Sequence, residues 1–261
     1  MTPVEKDWIF VSDAHFTGTD SKEMESFVRF LDSEAKRMGH LVILGDLFEF
    51  LFGFKDPSPG GYVLGREAFP FPDYLPVLEK IERLFRQGIR IKYFEGNHDF
   101  FLQRFFSERL KIGVEVHPEE SEITLAGRRA FVAHGDLSNP RQRKYRVFRK
   151  ILKNRWMYGL IELTGPSLVR RIARALSQRS YQKYHAEEGP VPPPAFKAFS
   201  HRKFLEGFEI VILGHSHFPE RVEEWIDGRR HLYFNVGDWM NRRSFLRFTP
   251  PESFQLCRYE E

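Results

Sequence analysis

The alternation of apolar and polar positions opens with a strand-like run, Trp8 to Val11, that stops at Ser12-Asp13-Ala14-His15. From Ser21 to Arg37 the apolar positions Met24, Phe27, Val28 and Leu31 recur at helical spacing, with Asp20 or Ser21 placed to cap the helix. Leu41 to Leu44 is an unbroken apolar run, too short for a free-standing helix. It predicts a strand buried on both faces that delivers Asp46 just past its carboxyl end. A loop rich in Gly, Pro and aromatic residues runs from Phe52 to Pro72. A helix is expected from about Tyr74 to Gln87, then a strand from Ile89 to Phe94 that ends in Glu95-Gly96-Asn97-His98-Asp99. Strand-then-helix units in succession predict a largely parallel sheet with right-handed crossovers.

The second half changes character. Val114 to Val116, Ser121 to Leu125 and Arg128 to Ala133 read as strands, the last ending in His134-Gly135-Asp136. Ile210 to Leu213 is another apolar strand, ending in Gly214-His215-Ser216-His217. Arg221 to Ile226 and His231 to Phe234, joined through Asp227-Gly228, predict a hairpin. Strands near Phe245 to Phe248 and Phe254 to Tyr259 complete the set. Between Leu137 and Tyr184 the spacing predicts two helices. The first carries Tyr145, Phe148, Leu152 and Trp156, widened by Ile151, Tyr158 and Leu160. The second starts after Thr164-Gly165-Pro166 and carries Leu168, Ile172, Ala175 and Leu176. The expected organisation is therefore a core of residues 1–136 and 205–261, interrupted by a helical cap of residues 137–204.

At 261 residues, 41% of them apolar and 15% aromatic, the chain can fill the core of one large α/β domain. A phenylalanine count of 27 leaves aromatic surface to spare. The formal charge of +4 is modest, so its placement matters more than its total. Thirteen Lys and Arg fall between Leu137 and Tyr184 against the single acid Glu162. Such a basic amphipathic pair can bind nucleic acid, lie on an anionic membrane, or simply be a solvated face. Cys257 is alone, which excludes an intrachain disulfide and fits a small apolar residue in a reducing compartment. No basic segment precedes an apolar one at the start, and no run of about eighteen apolar residues occurs. The chain is expected to be neither exported nor membrane-spanning.

Five strand ends thus deliver polar clusters: Asp13 with His15, Asp46, Asn97 with His98 and Asp99, His134 with Asp136, and His215 with His217. A single histidine after a strand is commonly a hydrogen-bonded structural residue. Five placements at the edge where open α/β sheets hold ligands point instead to a site. Oxygen and imidazole donors without thiolate suit Mn²⁺, Fe or Zn²⁺. In a two-metal site the ions lie roughly 3.5–4 Å apart and share a bridge. Asp46 is the candidate bridge; Asp13, His15 and His217 with Asp46 are assigned to one ion, and Asn97, His134 and His215 with Asp46 to the other. If the segment is extended, His215-x-His217 turns both rings the same way, each toward a different ion.

This constellation resembles the calcineurin-like metallophosphoesterases. Their pattern D-x-H, GD, GNH[DE], H and GHxH is met in order by Asp13-Ala14-His15, Gly45-Asp46, Gly96-Asn97-His98-Asp99, His134 and Gly214-His215-Ser216-His217. The resemblance implies a two-sheet α/β/β/α sandwich. It implies two divalent cations and a hydroxide, acidified by both, that attacks phosphorus in line. His98 would then donate to the phosphate or leaving oxygen, oriented by Asp99.

The blocks Leu44-Gly45-Asp46-Leu47-Phe48-Glu49, Phe94 to Phe100 and Asn235-Val236-Gly237-Asp238-Trp239, with the helical insertion, narrow the likeness. They resemble the UDP-2,3-diacylglucosamine hydrolases of lipid A biosynthesis. That implies Mn²⁺ as the usual metal, hydrolysis of an acylated UDP-sugar to UMP and 2,3-diacylglucosamine 1-phosphate (lipid X), and a cap that holds acyl chains. By position, Ser180 matches a substrate-contacting serine, with Arg179 and Lys183 beside it, while Asn97, His98 and His215 would also touch phosphate. The implied location is the cytoplasm, peripherally on the inner membrane. One position departs: well-known members carry Arg after the Gly-Asn pair, where this chain has His98. The competing functions are a phosphodiesterase acting on nucleic acid or nucleotides and a non-catalytic scaffold of the same fold.

Overall fold

An apolar strand can be buried on both faces only if something covers each face, and the chain provides both covers. The structure is a computed structural model that describes residues 6–54, 71–165, 168 and 193–261. In its first half come β1 (Asp7–Val11), α1 (Ser21–Glu34), β2 (Met38–Ile43), β3 (Leu51–Phe52), α2 (Leu75–Arg86), β4 (Arg90–Phe94), β5 (Asp99–Phe100) and β6 (Val114–His117). The second half holds β7 (Ser121–Leu125), β8 (Arg128–Val132), α3 (Arg143–Leu152), α4 (Arg155–Thr164), α5 (Pro194–Leu205), β9 (Ile210–Leu213), β10 (Pro219–Ile226), β11 (Arg229–Val236), β12 (Ser244–Thr249) and β13 (Ser253–Arg258).

One sheet runs β13-β12-β1-β2-β4-β6, its last four strands mutually parallel; the other runs β10-β11-β9-β8-β7, parallel from β11 through β8. The period of two along β1 sorts the layers. Ile9 and Val11 face α1 and α2 with Phe27, Leu31, Leu78 and Ile81, whereas Phe10 faces the second sheet with Val42, Phe94, Ile212 and Phe234. Outside that sheet, Phe196 and Phe204 of α5 pack on Phe131, Val211 and Tyr233. The result is the α/β/β/α sandwich. Helix α5, whose residues the sequence places almost wholly inside the insertion, is thus the outer layer of the core.

Two local expectations change. Asp20 does not cap α1 through its side chain; the carboxylate accepts instead from the amides of Thr17 and Gly18. Phe52, Phe54 and Phe71, at the two ends of the aromatic loop, are buried in the core rather than offered as a surface. Tyr62 and Phe69 lie outside the described residues.

At the amino ends of the strands Trp8 and His40 stack with ring centroids 3.6 Å apart and planes 4° apart. Burial, with Arg90 and Lys92 adding to it, pushes the imidazole down from 6.5 to about 4. The unfolded chain therefore binds a proton here that the native state refuses between those two values, and stability falls as pH drops through that window. His40→Gln should flatten this part of the pH profile of the urea midpoint. An unchanged profile would assign the acid loss to carboxylates alone.

Candidate metal centre

The donors follow the carboxyl ends of β1, β2, β4, β8 and β9, and their backbone is unusual. Asp13 (φ 53°), His15 (48°), Asp46 (53°), His215 (64°) and His217 (59°) are all left-handed, a region non-glycine residues rarely enter. The tips of the loops close tightly. A Cβ on Gly96 would lie 2.1 Å from Asp46 Oδ1, and one on Gly45 would lie 2.7 Å from the Gly96 amide, so glycine is required at both positions.

Within this ring Asp13 is fully buried. Its Oδ2 accepts from Ser12 Oγ and from the His215 amide at 2.8 Å. Its Oδ1 has no hydrogen-bond partner and faces His217 Nε2 at 3.4 Å and His15 Nε2 at 3.7 Å, the latter nitrogen unpartnered as well. Asp46 Oδ1 accepts from the His98 amide at 2.9 Å, while Oδ2 stands 3.4 Å from His134 Nε2 and 4.0 Å from His15 Nε2. His134 Nε2 in turn lies 3.0 Å from Asn97 Oδ1 and 3.1 Å from His215 Nδ1. Donor atoms of Asp13, Asp46, His134 and His215, and of Asp13, His15 and His217, fall within 4.8 Å of one another. The structure brings all seven expected ligands together; Asp13 is common to the two sets, and Asp46 Oδ2 reaches from His134 toward His15. Orphaned, buried, convergent oxygen and nitrogen atoms are what a cation would satisfy. The segment carrying His215 and His217 is not extended, however. Left-handed turns, not strand alternation, send the two rings to different sets.

The electrostatics agree. Burial works to raise Asp13 and Asp46, yet the surrounding histidines outweigh it and hold both well below the usual carboxylate range. Burial alone would lower His134, but Asp46 and Asp13 lift it to about 10. His215 is pushed down to about 4 by burial and by His134. Without a metal, a proton held on His134 offsets one of the two carboxylate charges, and a cation must displace that proton. Mn²⁺ uptake at pH 8 should therefore release about one proton per chain from this ring, and affinity should rise with pH. Calorimetry in buffers of different ionisation enthalpy measures this. Uptake without proton release would show that His134 is not a ligand.

His98 and Asp99 separate, as successive residues of an extended pair do. The His98 ring meets His15 edge-on, centroids 4.9 Å apart, and its Nδ1 lies 2.7 Å from the Glu49 carbonyl. The Asp99 carboxylate points inward and accepts the Asp46 amide at 2.5 Å; burial and Asp46 push it up to about 8. Glu49, not Asp99, orients His98. Glu49 also places its carboxylate 3.6 Å from His15 Nδ1. The Leu44 carbonyl accepts from His134 Nδ1 at 2.6 Å, and Asp238 approaches His217 Nδ1 at 3.9 Å. These outer partners turn each ring's other nitrogen toward the centre. The sequence shows Glu49 and Asp238 only as parts of larger blocks.

The insertion is fastened to the same edge. Tyr145 donates to Asp136 Oδ2 at 2.6 Å, and Arg149 Nε pairs with that oxygen at 2.6 Å. Lys153 pairs with buried Glu95 at 3.1 Å, and Arg146 donates to the Leu137 carbonyl. Two cations counted among a solvated basic face, Arg149 and Lys153, are therefore committed to the core. The single helix expected from Tyr145 to Leu160 breaks at Lys153, where Asn154 Oδ1 caps α4 by accepting from the Trp156 amide at 2.9 Å. Tyr158 turns inward onto Phe52, but Val147, Phe148, Ile151, Trp156, Leu160 and Leu163 are between 51% and 89% exposed. Arg179, Ser180 and Lys183, and the second predicted helix apart from Leu168, lie outside the described residues.

Comparison with known proteins fits this geometry. Residues 9–219 match the model of the calcineurin-like phosphoesterase family. The UDP-2,3-diacylglucosamine hydrolase of Vibrio cholerae serotype O1 is 28% identical over 214 residues, 81% of either chain. That of Aeromonas salmonicida is 31% identical over 216 residues, 81% of this chain and 77% of the relative. Among solved structures, an archaeal phosphodiesterase aligns over 97% of this chain and 99% of its own, at 11% identity and a TM-score of 0.46. The chain belongs to the calcineurin-like phosphoesterase family and is a dimetal phosphoester hydrolase.

Proposed function

We propose that the enzyme hydrolyses the pyrophosphate of UDP-2,3-diacylglucosamine to UMP and 2,3-diacylglucosamine 1-phosphate. The observation that carries this is the exposed apolar surface of α3 and α4, tied to the donor ring through Asp136 and Glu95. A substrate with two acyl chains and a charged pyrophosphate needs such surface next to such a site. The relatives' shared name supports the same reading.

In this scheme Asp13, His15, Asp46 and His217 would hold one divalent ion and Asp46, Asn97, His134 and His215 the other; the donor set suits Mn²⁺, Fe or Zn²⁺, and the likeness to the hydrolases favours Mn²⁺. Bound there, the pair would acidify water and offset phosphate charge. The protein does the rest. With Nδ1 donating to the Glu49 carbonyl, His98 can also donate from Nε2 only as the imidazolium. From Nε2 it would donate to the phosphate or to the leaving oxygen. Asn97 and His215 flank the same phosphate, and Arg179, Ser180 and Lys183 are proposed contacts for the acylated sugar. The cap is proposed to comprise residues 137–204 less α5.

No helix among the described residues is long and apolar enough to cross a membrane. The basic insertion with its apolar face is proposed to rest on the anionic cytoplasmic surface of a membrane, where the substrate resides. The test compares turnover, with Mn²⁺, on UDP-2,3-diacylglucosamine, bis-p-nitrophenyl phosphate and single-stranded DNA. Preference for the lipid by orders of magnitude is expected. Equal rates on DNA, weakening steeply with salt, would replace this reading with a nucleic-acid phosphodiesterase.

A further inference from the structure

The two sheets also part at the end of the sandwich remote from the donors. There the first residues of β1, β2 and β4, with β7 and the end of β12, enclose a cleft of about 690 Å³ whose lining includes Lys6, Trp8, His40, Arg90, Lys92 and Phe248. That volume is ample for a small molecule, such sites spanning about 300–1,000 Å³. His40 and Asp46 stand at opposite ends of one strand, so cleft and metal centre are roughly 20 Å apart.

The charges in the cleft do not cancel. Lys92 pairs with Glu115, which also takes His117 at 2.9 Å, and Glu122 is held by Arg129 through two bonds of 2.8 Å. Lys6 and Arg90 are exposed and have no ion-pair partner among the described residues. The walls are of a different kind. Trp8 stacks on His40 and is paired in register with Phe248, giving the cleft an aromatic wall. A bare inorganic anion would satisfy the two cations and leave the aromatic wall wet. An apolar molecule would leave the cations unanswered.

We propose that this cleft binds an anionic small molecule with a planar, largely apolar body, the class to which nucleoside 5′-monophosphates belong. Its anionic group would lie between Lys6 and Arg90, and its ring against the open face of the Trp8–His40 stack. The site is independent of the metal centre and of the substrate proposed for it.

The test titrates the manganese-loaded full chain calorimetrically with 5′-AMP and, separately, with inorganic phosphate. It does so for the wild type, for Lys6→Glu combined with Arg90→Glu, and for His217→Ala. Both surface lysine and arginine are solvent-facing, so the double variant should keep its turnover on bis-p-nitrophenyl phosphate. The expected result is 5′-AMP binding with Kd below about 1 mM, weakened at least about tenfold in the double variant by loss and reversal of charge and retained in His217→Ala. Phosphate should bind more weakly than 5′-AMP. Absence of 5′-AMP binding, equal affinity for phosphate, or binding lost in His217→Ala but kept in the double variant would each overturn the proposal.

Discussion

Asp46→Asn is expected to abolish turnover on bis-p-nitrophenyl phosphate, by about 10⁴-fold or more, and to lower both metal equivalents per chain together. The reason is position. Asp46 Oδ2 faces both donor sets, 3.4 Å from His134 and 4.0 Å from His15, so one neutralised carboxylate weakens both ions. Asparagine keeps the shape and an oxygen for the His98 amide, which isolates charge from folding. Elemental analysis alongside turnover decides the matter. A variant that loses only one equivalent, or keeps both, would show that Asp46 is not shared.

His98→Ala should cut turnover about 10²- to 10⁴-fold, the range of a lost general acid, while both metal equivalents stay bound. His98 touches the Glu49 carbonyl and the edge of His15; it falls outside the two donor sets that contain Asp13 and joins only a third, with His15 and Glu49. Loss of metal in this variant would move His98 among the ligands.

Much of this was legible from the residues. Apolar runs too short for helices mark the buried strands, and Asp227-Gly228, with φ values of 50° and 73°, supplies the left-handed pair that a tight hairpin demands. The donors were legible for a related reason, since each sits directly after such a run. What escaped depends on distant partners. The direction of Asp99 follows from its pairing in β5 with Leu51 of β3, which local pattern does not encode. The break at Lys153 needs Asn154 as a cap inside an otherwise continuous amphipathic repeat. Helix α5 was missed between Pro193 and Leu205, where phenylalanines fall on more than one side; Phe196 and Phe204 reach the sheet while Phe199 is only partly buried.

The left-handed backbone at Asp13, His15, Asp46, His215 and His217 implies an order of events. Each such residue costs roughly 1–2 kcal/mol, and the sandwich beneath bears that cost whether or not an ion is present. The cradle is therefore finished before its cargo arrives, and apo and loaded protein should superpose at these loops. A cage so indifferent to its contents does little choosing, and the cation that works in it is the one the surroundings keep in supply.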